Sequence, residues 1–424
     1  MVEQPGTRAQ PEPDWLSVDE ARERILSACS PLAVETVSIR EALGRALASD
    51  VTSRVDHPPW NNSAMDGFAV RAADVNGASE HSPVVLPVVD DVPAGAFPAG
   101  PLVPGTAVRV MTGAPVPEGA TGVIRIEHTD GGATGKVVIV SDSDAERNIR
   151  LAGEDLRRGS IQLRAGDEVT PAAIGSLAAM GWPEIQVHRR PRVAILSNGD
   201  ELADFDRLKE VLNGRRIMNS NEYGLAASLE AEGADPIRLG IATDDAGQVR
   251  RRIEAAPEFD ALITSAGVSV GDHDHVKAVL EDLGLERGFW RVRMRPGSPI
   301  TFGTLAGRPV FGLPGNPVSV MVTFHLFVRP ALRALGGHSR LRPLPARARA
   351  AERITSPGGL TYFFRVRLER DASGELSARL TGPQGSGILG SMVAADALAV
   401  VPEDRTTIEP GELLELLPLG GWLN

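Results

Sequence analysis

Residues 259–277 read Phe-Asp-Ala-Leu-Ile-Thr-Ser-Ala-Gly-Val-Ser-Val-Gly-Asp-His-Asp-His-Val-Lys, and this is the most informative part of the chain. The apolar residues 261–264 are typical of a buried parallel strand. Small residues follow, and apolar residues then return at helical spacing from Val276 onward. A strand, a glycine-rich loop and a helix start form an anion-binding arrangement, because free N–H groups at the helix start point at a phosphate. A tight turn whose glycines serve only geometry is the alternative interpretation.

Length, charge and cysteine content restrict the class of protein. A chain of 424 residues exceeds one hydrophobic core, so we expect about two to four domains. The formal net charge of −11 at pH 7 disfavours a nucleic-acid or membrane-surface binder, because phosphate groups attract basic surfaces. The single cysteine, Cys29, excludes an intrachain disulfide, and the sequence shows neither a secretory signal nor an apolar run of ~20 residues. We therefore expect a cytoplasmic protein that binds neither nucleic acid nor membrane.

The first half of the chain divides into helical and β-rich parts. Ser17 and Glu20 have the spacing of a capping box, which predicts a helix start. Apolar spacing predicts further helices over residues 39–48 and 171–180. Between residues 51 and 150, glycine, proline and valine dominate, and this composition predicts a small all-β domain. Its predicted strands lie at residues 84–89, 107–111 and 136–140.

From residue 192 the pattern alternates between strands and helices. Strands are predicted at residues 193–196, 236–241, 261–264 and 289–294, and helices at residues 221–231 and 245–255. This order predicts a three-layer domain with a mostly parallel sheet, which binds ligands at the carboxyl ends of its strands. Carboxylates repel phosphate, so acidic residues beside an oxyanion loop indicate a hard divalent cation such as Mg²⁺ between the two.

Residues 338–424 return to a β-rich composition. Strands are predicted at residues 362–368, 375–380 and 397–401, which favours a small C-terminal barrel or sandwich. The whole chain is therefore predicted to be a multidomain α/β plus β protein.

Six short motifs follow one another along the chain. They are Asn61-Asn62-Ser63-Ala64-Met65-Asp66-Gly67, Met111-Thr112-Gly113-Ala114, Gly153-Glu154-Asp155, Gly199-Asp200-Glu201-Leu202, Gly267-Val268-Ser269-Val270-Gly271-Asp272 and Leu313-Pro314-Gly315-Asn316-Pro317-Val318-Ser319. Together they resemble the molybdopterin molybdenumtransferase family, which includes MoeA and the E domain of gephyrin. The resemblance covers nearly the whole chain from about Ser17 onward, and six motifs in one order leave little room for coincidence.

This resemblance implies an enzyme of molybdenum cofactor synthesis. Such an enzyme binds adenylylated molybdopterin, hydrolyses its pyrophosphate-type bond and inserts molybdate with release of AMP, in a reaction that depends on Mg²⁺. A homodimer with shared active sites and a contact with the molybdopterin adenylyltransferase are also implied. The implied domains are a discontinuous α/β linker domain (residues 15–55 and 150–190), an inserted small β domain (56–149), a molybdopterin-binding three-layer αβα domain (191–337) and a C-terminal β barrel (338–424).

The resemblance also implies roles for individual residues. The implied catalytic residues are Asp66, Thr112, Asp155, Glu201 and Asp274, with Asp66 contributed from across the dimer. The divalent cation would be held by Glu201, Asp244 and Asp274. The implied substrate-binding residues are Asn62, Ser63, Ser265, Gly267, Ser269, Gly271, Lys277, Pro314 and Asn316. Molybdate is expected near Arg295, Ser298, Ser319, Arg365 and Ser386.

Two positions depart from the pattern of the family. Many relatives read Lys-Pro-Gly-Lys-Pro or Lys-Pro-Gly-Met-Pro where this chain has Arg-Pro-Gly-Ser-Pro at residues 295–299. Arg295 keeps the charge, whereas Ser298 supplies only a neutral hydroxyl, so weaker capture of molybdate is expected. Ala266 replaces the first glycine of the usual Ser-Gly-Gly, and alanine adopts a positive φ less freely than glycine.

Two other functions remain open from the sequence. One is adenylylation of molybdopterin, the preceding step, but the domains outside residues 191–337 and the Asp66 loop disfavour it. The other is an altered paralogue or a scaffold that binds molybdopterin without turnover. The carboxylates of Asp66, Asp155, Glu201, Asp244 and Asp274 disfavour a loss of chemistry.

Overall fold

The computed structural model describes residues 15–266, 275–370 and 374–420. These residues form an α/β sheet domain, a small β domain, an α/β part between the two and a closed β barrel. The predicted fold class, multidomain α/β plus β, is confirmed.

A six-stranded sheet forms the middle layer of the α/β domain. In spatial order its strands are Asp235–Ala242, Arg192–Asn198, Ala261–Ser265, Arg308–Leu313, Thr301–Leu305 and Leu285–Phe289. The first four strands run parallel to one another, and the last two run antiparallel to their neighbours. The predicted mostly parallel sheet is therefore confirmed.

Helices cover both faces of this sheet. Val193 and Ile195 pack into the core that includes the helix Ser220–Ala231, whereas Ala194 and Leu196 pack into a core on the opposite face. Because both faces are buried, polar side chains are concentrated at the ends of the strands. The other covering helices are Ala246–Glu254, His275–Asp282, Pro317–Thr323, the π-helix Phe324–Val328 and Arg329–Leu335. Further short elements of this domain are Leu202–Ala203, Phe205–Arg207, Leu208–Leu212 and Ile217–Met218.

The helix Val18–Ser27 begins with the predicted capping box. Ser17 N donates a hydrogen bond to Glu20 Oε2 at 2.7 Å, and Glu20 N donates to Ser17 Oγ at 3.2 Å. The predicted helix over residues 171–180 is also confirmed, as Pro171–Ala179. The strands of this part of the chain are Val34–Ser38, Val51–Thr52, Ile161–Leu163 and Glu184–His188.

The helix predicted over residues 39–48 does not form, and that prediction was wrong. Gly44 has a φ of +74°, a left-handed conformation that interrupts a helix, and Leu43 is 50% exposed. Turns bury Ala42 and Leu47 in the core that includes the helix Pro171–Ala179. The apolar spacing therefore correctly indicated that Ala42 and Leu47 are buried, but the left-handed conformation of Gly44 prevents a helix.

Five strands form the main sheet of the small β domain. In spatial order they are Gly122–Arg125, Gly67–Val70, Ala107–Val110, Val84–Val92 and Lys136–Ile139, so the predicted strands are confirmed. A Cβ at Gly67 would lie 2.0 Å from Ile124 O, so only glycine permits this pairing directly after Asp66. The short elements of the domain are Asn62–Ser63, Ala72–Val75, Ile126–His128 and Ile149–Arg150.

The C-terminal strands close into a barrel. The barrel strands are Ala346–Ala350, Thr361–Arg370, Leu376–Leu380, Ala397–Val401 and Leu413–Pro418. Closure occurs because Thr361–Arg370 pairs with both Leu376–Leu380 and Ala397–Val401. Of the two predicted alternatives, barrel and sandwich, the structure shows the barrel. Shorter elements beside it are Ile354–Thr355, Leu389–Val393 and Thr407–Ile408.

The strand predicted over residues 289–294 was wrong. The edge strand of the α/β sheet is Leu285–Phe289, and the chain then leaves that sheet. Met294–Arg295 pairs instead with the barrel strand Thr361–Arg370. This pairing joins the α/β domain to the barrel and places Arg295 at their junction.

The segment Pro317–Leu335 has the length and apolar composition of a membrane-spanning helix. However, 72% of its most apolar stretch of 18 residues is buried inside the protein. Phe324, Phe327 and Leu332 pack into the large core of the α/β domain. The segment is therefore a core helix of that domain.

Candidate functional site

One side chain ties together two loops at the carboxyl edge of the parallel sheet. Asn221 Nδ2 donates hydrogen bonds to Ser265 Oγ at 2.9 Å and to Gly315 O at 2.7 Å. Ala266 N donates to Leu313 O at 3.1 Å, so the loops that follow these neighbouring strands lie side by side. Ser265 is buried and the residues after it lead into the predicted anion loop. The predicted residues Gly267, Ser269, Gly271 and Asp274 lie outside the described residues.

The barrel contributes a loop to the same edge. Asn316 Nδ2 donates to Ser386 Oγ at 3.0 Å, and Val318 N donates to Ser386 O at 3.1 Å. These bonds fix the barrel loop at the start of the helix Pro317–Thr323. The structure therefore brings together Asn316 and Ser386, two predicted residues that are distant in the sequence. The predicted residue Pro314 is buried just before them.

Arg365 is a buried cation whose described partners are all neutral. Its residue is 1% exposed, its Nε donates to Ser391 Oγ at 3.1 Å, and its Nη2 donates to Gly385 O at 3.2 Å. Burial lowers the pKa of Arg365 to about 10, so the guanidinium stays protonated at neutral pH. Within residues 15–266, 275–370 and 374–420, no carboxylate forms an ion pair with it. A buried charge without a counter-charge favours a bound anion.

The other residues predicted to hold molybdate differ in what they offer. Arg295 is exposed and lies beside the hydroxyl of Tyr362, whose pKa is raised by burial. Ser298 Oγ donates to Val292 O at 3.0 Å, so its proton is already used within the loop. Ser319 is 4% exposed, inside the first turn of its helix. Ser298 therefore presents only lone pairs to an oxyanion in this arrangement.

Lys277, predicted to bind substrate, lies on the helix His275–Asp282. Its Nζ lies 4.1 Å from the ring centroid of Trp290, which is a cation–π contact. The structure thus places this ammonium group over an indole ring.

Acidic residues predicted to bind a metal follow two neighbouring parallel strands. Asn198 Nδ2 donates to Asp244 Oδ1 at 2.7 Å, and Asn198 Oδ1 is buried without a partner among the described residues. A Cβ at Gly199 would lie 2.5 Å from Glu201 Oε2, so this carboxylate folds over the glycine. In the described part of the chain, no group of three or more His, Cys, Asp or Glu residues could hold a metal ion. The third predicted ligand, Asp274, lies outside that part, and the metal set stays a prediction.

A second assembly lies in the small β domain, where Asp66 and Thr112 meet. Asp66 Oδ1 accepts hydrogen bonds from Thr112 N and Thr112 Oγ1, both at 2.7 Å. These bonds hold the pKa of the exposed Asp66 carboxyl below its usual range, so it is ionised at neutral pH. Both bonds go to Oδ1, and no described residue bonds the second oxygen, Oδ2, which is left for a water molecule or a ligand. The predicted residue Ser63 is buried nearby in the chain, and its Oγ donates to Met65 O at 2.5 Å.

A pocket of about 380 Å³ opens beside Asn62 and Gly113, which are close in the chain to Asp66 and Thr112. The predicted residues Asn62 and Asp155 both line it, together with Trp60 and Arg150. Asn62 Oδ1 and Trp60 Nε1 are buried, and neither has a hydrogen-bond partner in the ranges that the structure describes. Two residues of the pocket wall therefore each carry a buried polar atom without a described partner, an acceptor in Asn62 and a donor in Trp60.

The candidate residues thus form two assemblies within one copy of the chain. One comprises Asn62, Ser63, Asp66, Thr112 and Asp155; the other comprises Ser265, Asn316, Ser319, Arg365 and Ser386. No hydrogen bond among the described residues joins these two sets. Sequence reasoning missed Asn221 and Ser391, which hold Ser265 and Arg365, because an asparagine or serine near a helix is usually read as a cap.

Comparisons with known proteins agree with these features. Family models for the MoeA N-terminal region (domain I and II), a probable molybdopterin binding domain and the MoeA C-terminal region (domain IV) match residues 16–181, 194–334 and 347–419. Molybdopterin molybdenumtransferase 2 of Mycobacterium tuberculosis is 39% identical over 402 residues, which is 93% of this chain and 96% of that protein.

Two further proteins are similar over most of their length. The molybdopterin molybdenumtransferase of Nostoc sp. is 39% identical over 391 residues, which is 91% of this chain and 88% of that protein. The crystal structure of the molybdopterin biosynthesis MoeA protein of Pyrococcus horikoshii superimposes with a TM-score of 0.82 at 29% identity, over 95% of this chain and 100% of the other.

The left-handed conformation of Ala266 gives a stability prediction. Its φ is +68°, where an alanine costs roughly 1–2 kcal/mol relative to a right-handed conformation. We expect Ala266→Gly to raise the free energy of unfolding by up to about 1 kcal/mol, after the greater flexibility of unfolded glycine is subtracted. Urea denaturation followed by fluorescence measures it. The control is Ala227→Gly, inside the helix Ser220–Ala231, which should be destabilising by about 1 kcal/mol. Equal destabilisation by both variants would contradict strain at Ala266.

Proposed function

The chain belongs to the molybdopterin molybdenumtransferase family, transferases of molybdenum cofactor biosynthesis, and we propose that its substrate is adenylylated molybdopterin. In the proposed reaction the bond between the two phosphates is hydrolysed, AMP leaves, and molybdate is inserted into the dithiolene. The two assemblies described above supply the groups for this reaction. We propose that this reaction takes place in the cytoplasm.

The buried charge of Arg365 carries this proposal. A guanidinium whose partners among the described residues are a serine hydroxyl and a peptide carbonyl has not recovered the free energy lost on leaving water. A tetrahedral dianion such as molybdate would recover it through charge-assisted hydrogen bonds. Ser319 and Ser386 lie on the helix start and the barrel loop that border this position, and Arg295 adds a second positive charge at the junction.

The phosphates of the substrate are proposed to lie at the edge where Asn221 joins the two loops. Ser265 ends a buried parallel strand there, and Asn316 stands exposed before a helix. Backbone N–H groups at such a position favour a phosphate oxygen without needing a side-chain charge. The proposed place of the phosphates therefore neighbours the proposed place of molybdate.

A divalent cation such as Mg²⁺ fits the donors present at this edge. Asn198 Oδ1 is a buried carbonyl oxygen without a described partner, next to the carboxylate of Asp244, and Glu201 follows the same strand as Asn198. Hard oxygen donors of this kind suit Mg²⁺. When bound, such a cation would neutralise phosphate charge; Glu201, Asp244 and Asp274 are proposed to hold it.

Asp66 is proposed to orient a reacting water or the leaving phosphate. Its carboxylate is ionised and fixed by both hydrogen bonds from Thr112, so its free oxygen has one orientation. Asp155 and Asn62 would complete this assembly from the wall of the pocket. Since no described hydrogen bond joins this assembly to the α/β domain of the same copy, we propose a homodimer in which each site combines the two.

The molybdopterin adenylyltransferase is proposed to deliver the substrate to this protein through direct contact. A scaffold or altered paralogue that binds molybdopterin without turnover is the second candidate, and the Ser298 hydroxyl bonded to Val292 O is the observation that favours it.

Molybdate dependence of AMP release distinguishes these functions. We expect the full chain with Mg²⁺ to release AMP from adenylylated molybdopterin in a single turnover, and to do so faster with molybdate present. Arg365→Gln should lower the apparent affinity for molybdate at least about tenfold, because it removes a charge-assisted hydrogen bond worth roughly 1.5–3 kcal/mol. The control, Arg367→Gln, changes an exposed residue of the same strand and should behave as wild type. Tight substrate binding without AMP release would favour the scaffold.

Mixed dimers test whether the site is shared between subunits. Asp66→Asn and Arg365→Gln each remove a residue from a different assembly, so each homodimer should be inactive or weakened. After random exchange of subunits about half of the dimers are mixed, and a shared site leaves one of the two sites in each of them intact. The mixture as a whole should then have about a quarter of wild-type activity. Activity that stays at the mean of the two parents would contradict sharing.

A further inference from the structure

A pocket of about 280 Å³ lies between the α/β domain and the barrel. Met321 and His325 line it from the core helix, and Leu389, Met392 and Val393 line it from the short helix beside the barrel. Its walls are mainly apolar, and it opens to solvent. None of these residues is among those proposed above for molybdate, phosphate or metal.

The pocket adjoins the edge where the phosphates are proposed to lie. Asn221 lines it and at the same time donates hydrogen bonds to Ser265 Oγ and Gly315 O. Pro317, which also lines the pocket, directly follows Asn316. A ligand whose phosphate lies at this edge can therefore place another of its groups in the apolar pocket.

Gly224 keeps one wall of this pocket without a side chain. It lies inside the helix Ser220–Ala231, where glycine is less favourable than alanine. A Cβ at this position would meet only Met321 Sδ, at 3.6 Å, which is an ordinary contact, and its φ is outside the left-handed region. Neither the backbone nor a clash requires glycine here, so a larger side chain can be introduced at this position to fill part of the pocket.

His325 is a further polar residue in the mainly apolar lining, besides Ser220 and Asn221. Its Nδ1 is buried and has no hydrogen-bond partner among the residues that the structure describes. Burial and the nearby Arg329 lower the pKa of His325 to about 4, so the imidazole is neutral at physiological pH. A neutral imidazole ring and the polarisable sulfur atoms of Met321 and Met392 suit contact with a flat heterocycle.

We propose that this pocket receives a planar nitrogen heterocycle at one end of the ligand whose phosphate lies beside Asn221. The inference rests on the proposed function, in which the ligand carries two such rings, adenine and pterin. Pockets that enclose a whole drug-sized ligand are typically ~300–1,000 Å³, so a pocket of about 280 Å³ suits one end of the substrate. The apolar walls provide stacking and burial, and the Asn221 side sets the direction toward the phosphates.

Filling the pocket from Gly224 tests the proposal. The dissociation constants of AMP, 6-carboxypterin and inorganic pyrophosphate are measured by calorimetry on the full chain and on Gly224→Leu. We expect at least tenfold weaker binding of one ring-bearing probe, with pyrophosphate binding unchanged because the phosphate edge is intact. Loss for AMP alone assigns the pocket to adenine, and loss for 6-carboxypterin alone assigns it to pterin.

Two controls separate pocket filling from misfolding. Gly175→Leu places the same side chain in another helix, at an exposed glycine with no neighbouring atom within 4 Å, and should leave all three constants unchanged. Gly224→Ala adds a single methyl group and should weaken the same probe by a smaller factor while raising the melting temperature. Unchanged constants for both ring probes in Gly224→Leu, or no binding of either to wild type, would overturn the proposal. Because these are binding measurements, a chain that fails to insert molybdate still gives a readable result.

Discussion

The guanidinium of Arg365 is 1% exposed, and its described hydrogen bonds go to a serine hydroxyl and a peptide carbonyl. A charge in this position is stabilised only in part, and the protein bears that cost in the absence of an anion. The segment beside the barrel that holds it, residues 382–391, is in turn fixed to the α/β domain by Ser386. The position of this one cation therefore depends on the packing of two domains, and the proposed oxyanion site depends on the cation.

The parallel sheet explains why the other groups gather nearby. Four parallel strands with both faces covered leave polar residues at their carboxyl ends, where Asn198 and Ser265 lie and where Gly315 follows the strand Arg308–Leu313. Asn221 then connects two of those ends through its side-chain amide. The barrel closes the same edge from the side through the strand Met294–Arg295. The proposed positions of molybdate, of the substrate phosphates and of one heterocyclic ring of the substrate are therefore neighbours in this conformation of the chain.

Much of this arrangement could be predicted from the sequence. Buried strands were recognisable because residues 193–196 and 261–264 are apolar without interruption, and the capping box of Ser17 fixed a helix start. The family resemblance placed Asp66 and Thr112 in one catalytic set, and the structure shows a hydrogen bond between them. It assigned Asn316 to the substrate and Ser386 to molybdate, and the structure shows that these two side chains are also hydrogen-bonded. The predictions of the strands and of the helix start depend on local patterns that one chain segment carries by itself.

Features that depend on tertiary contacts were not predictable. Residues 39–48 have helical apolar spacing, but the left-handed Gly44 and burial in a neighbouring core determined turns. Residues 289–294 have a strand composition, yet the barrel competes for Met294–Arg295. Asn221 and Gly224 look like ordinary helix residues until the structure shows what they bond to or leave open.

Anomalous X-ray diffraction from crystals soaked in molybdate locates the oxyanion site. We expect a molybdenum peak whose oxygen atoms lie within hydrogen-bond distance of the Arg365 guanidinium, at the junction of the α/β domain and the barrel. A molybdenum peak elsewhere, with the Arg365 position empty at saturating molybdate, would contradict it.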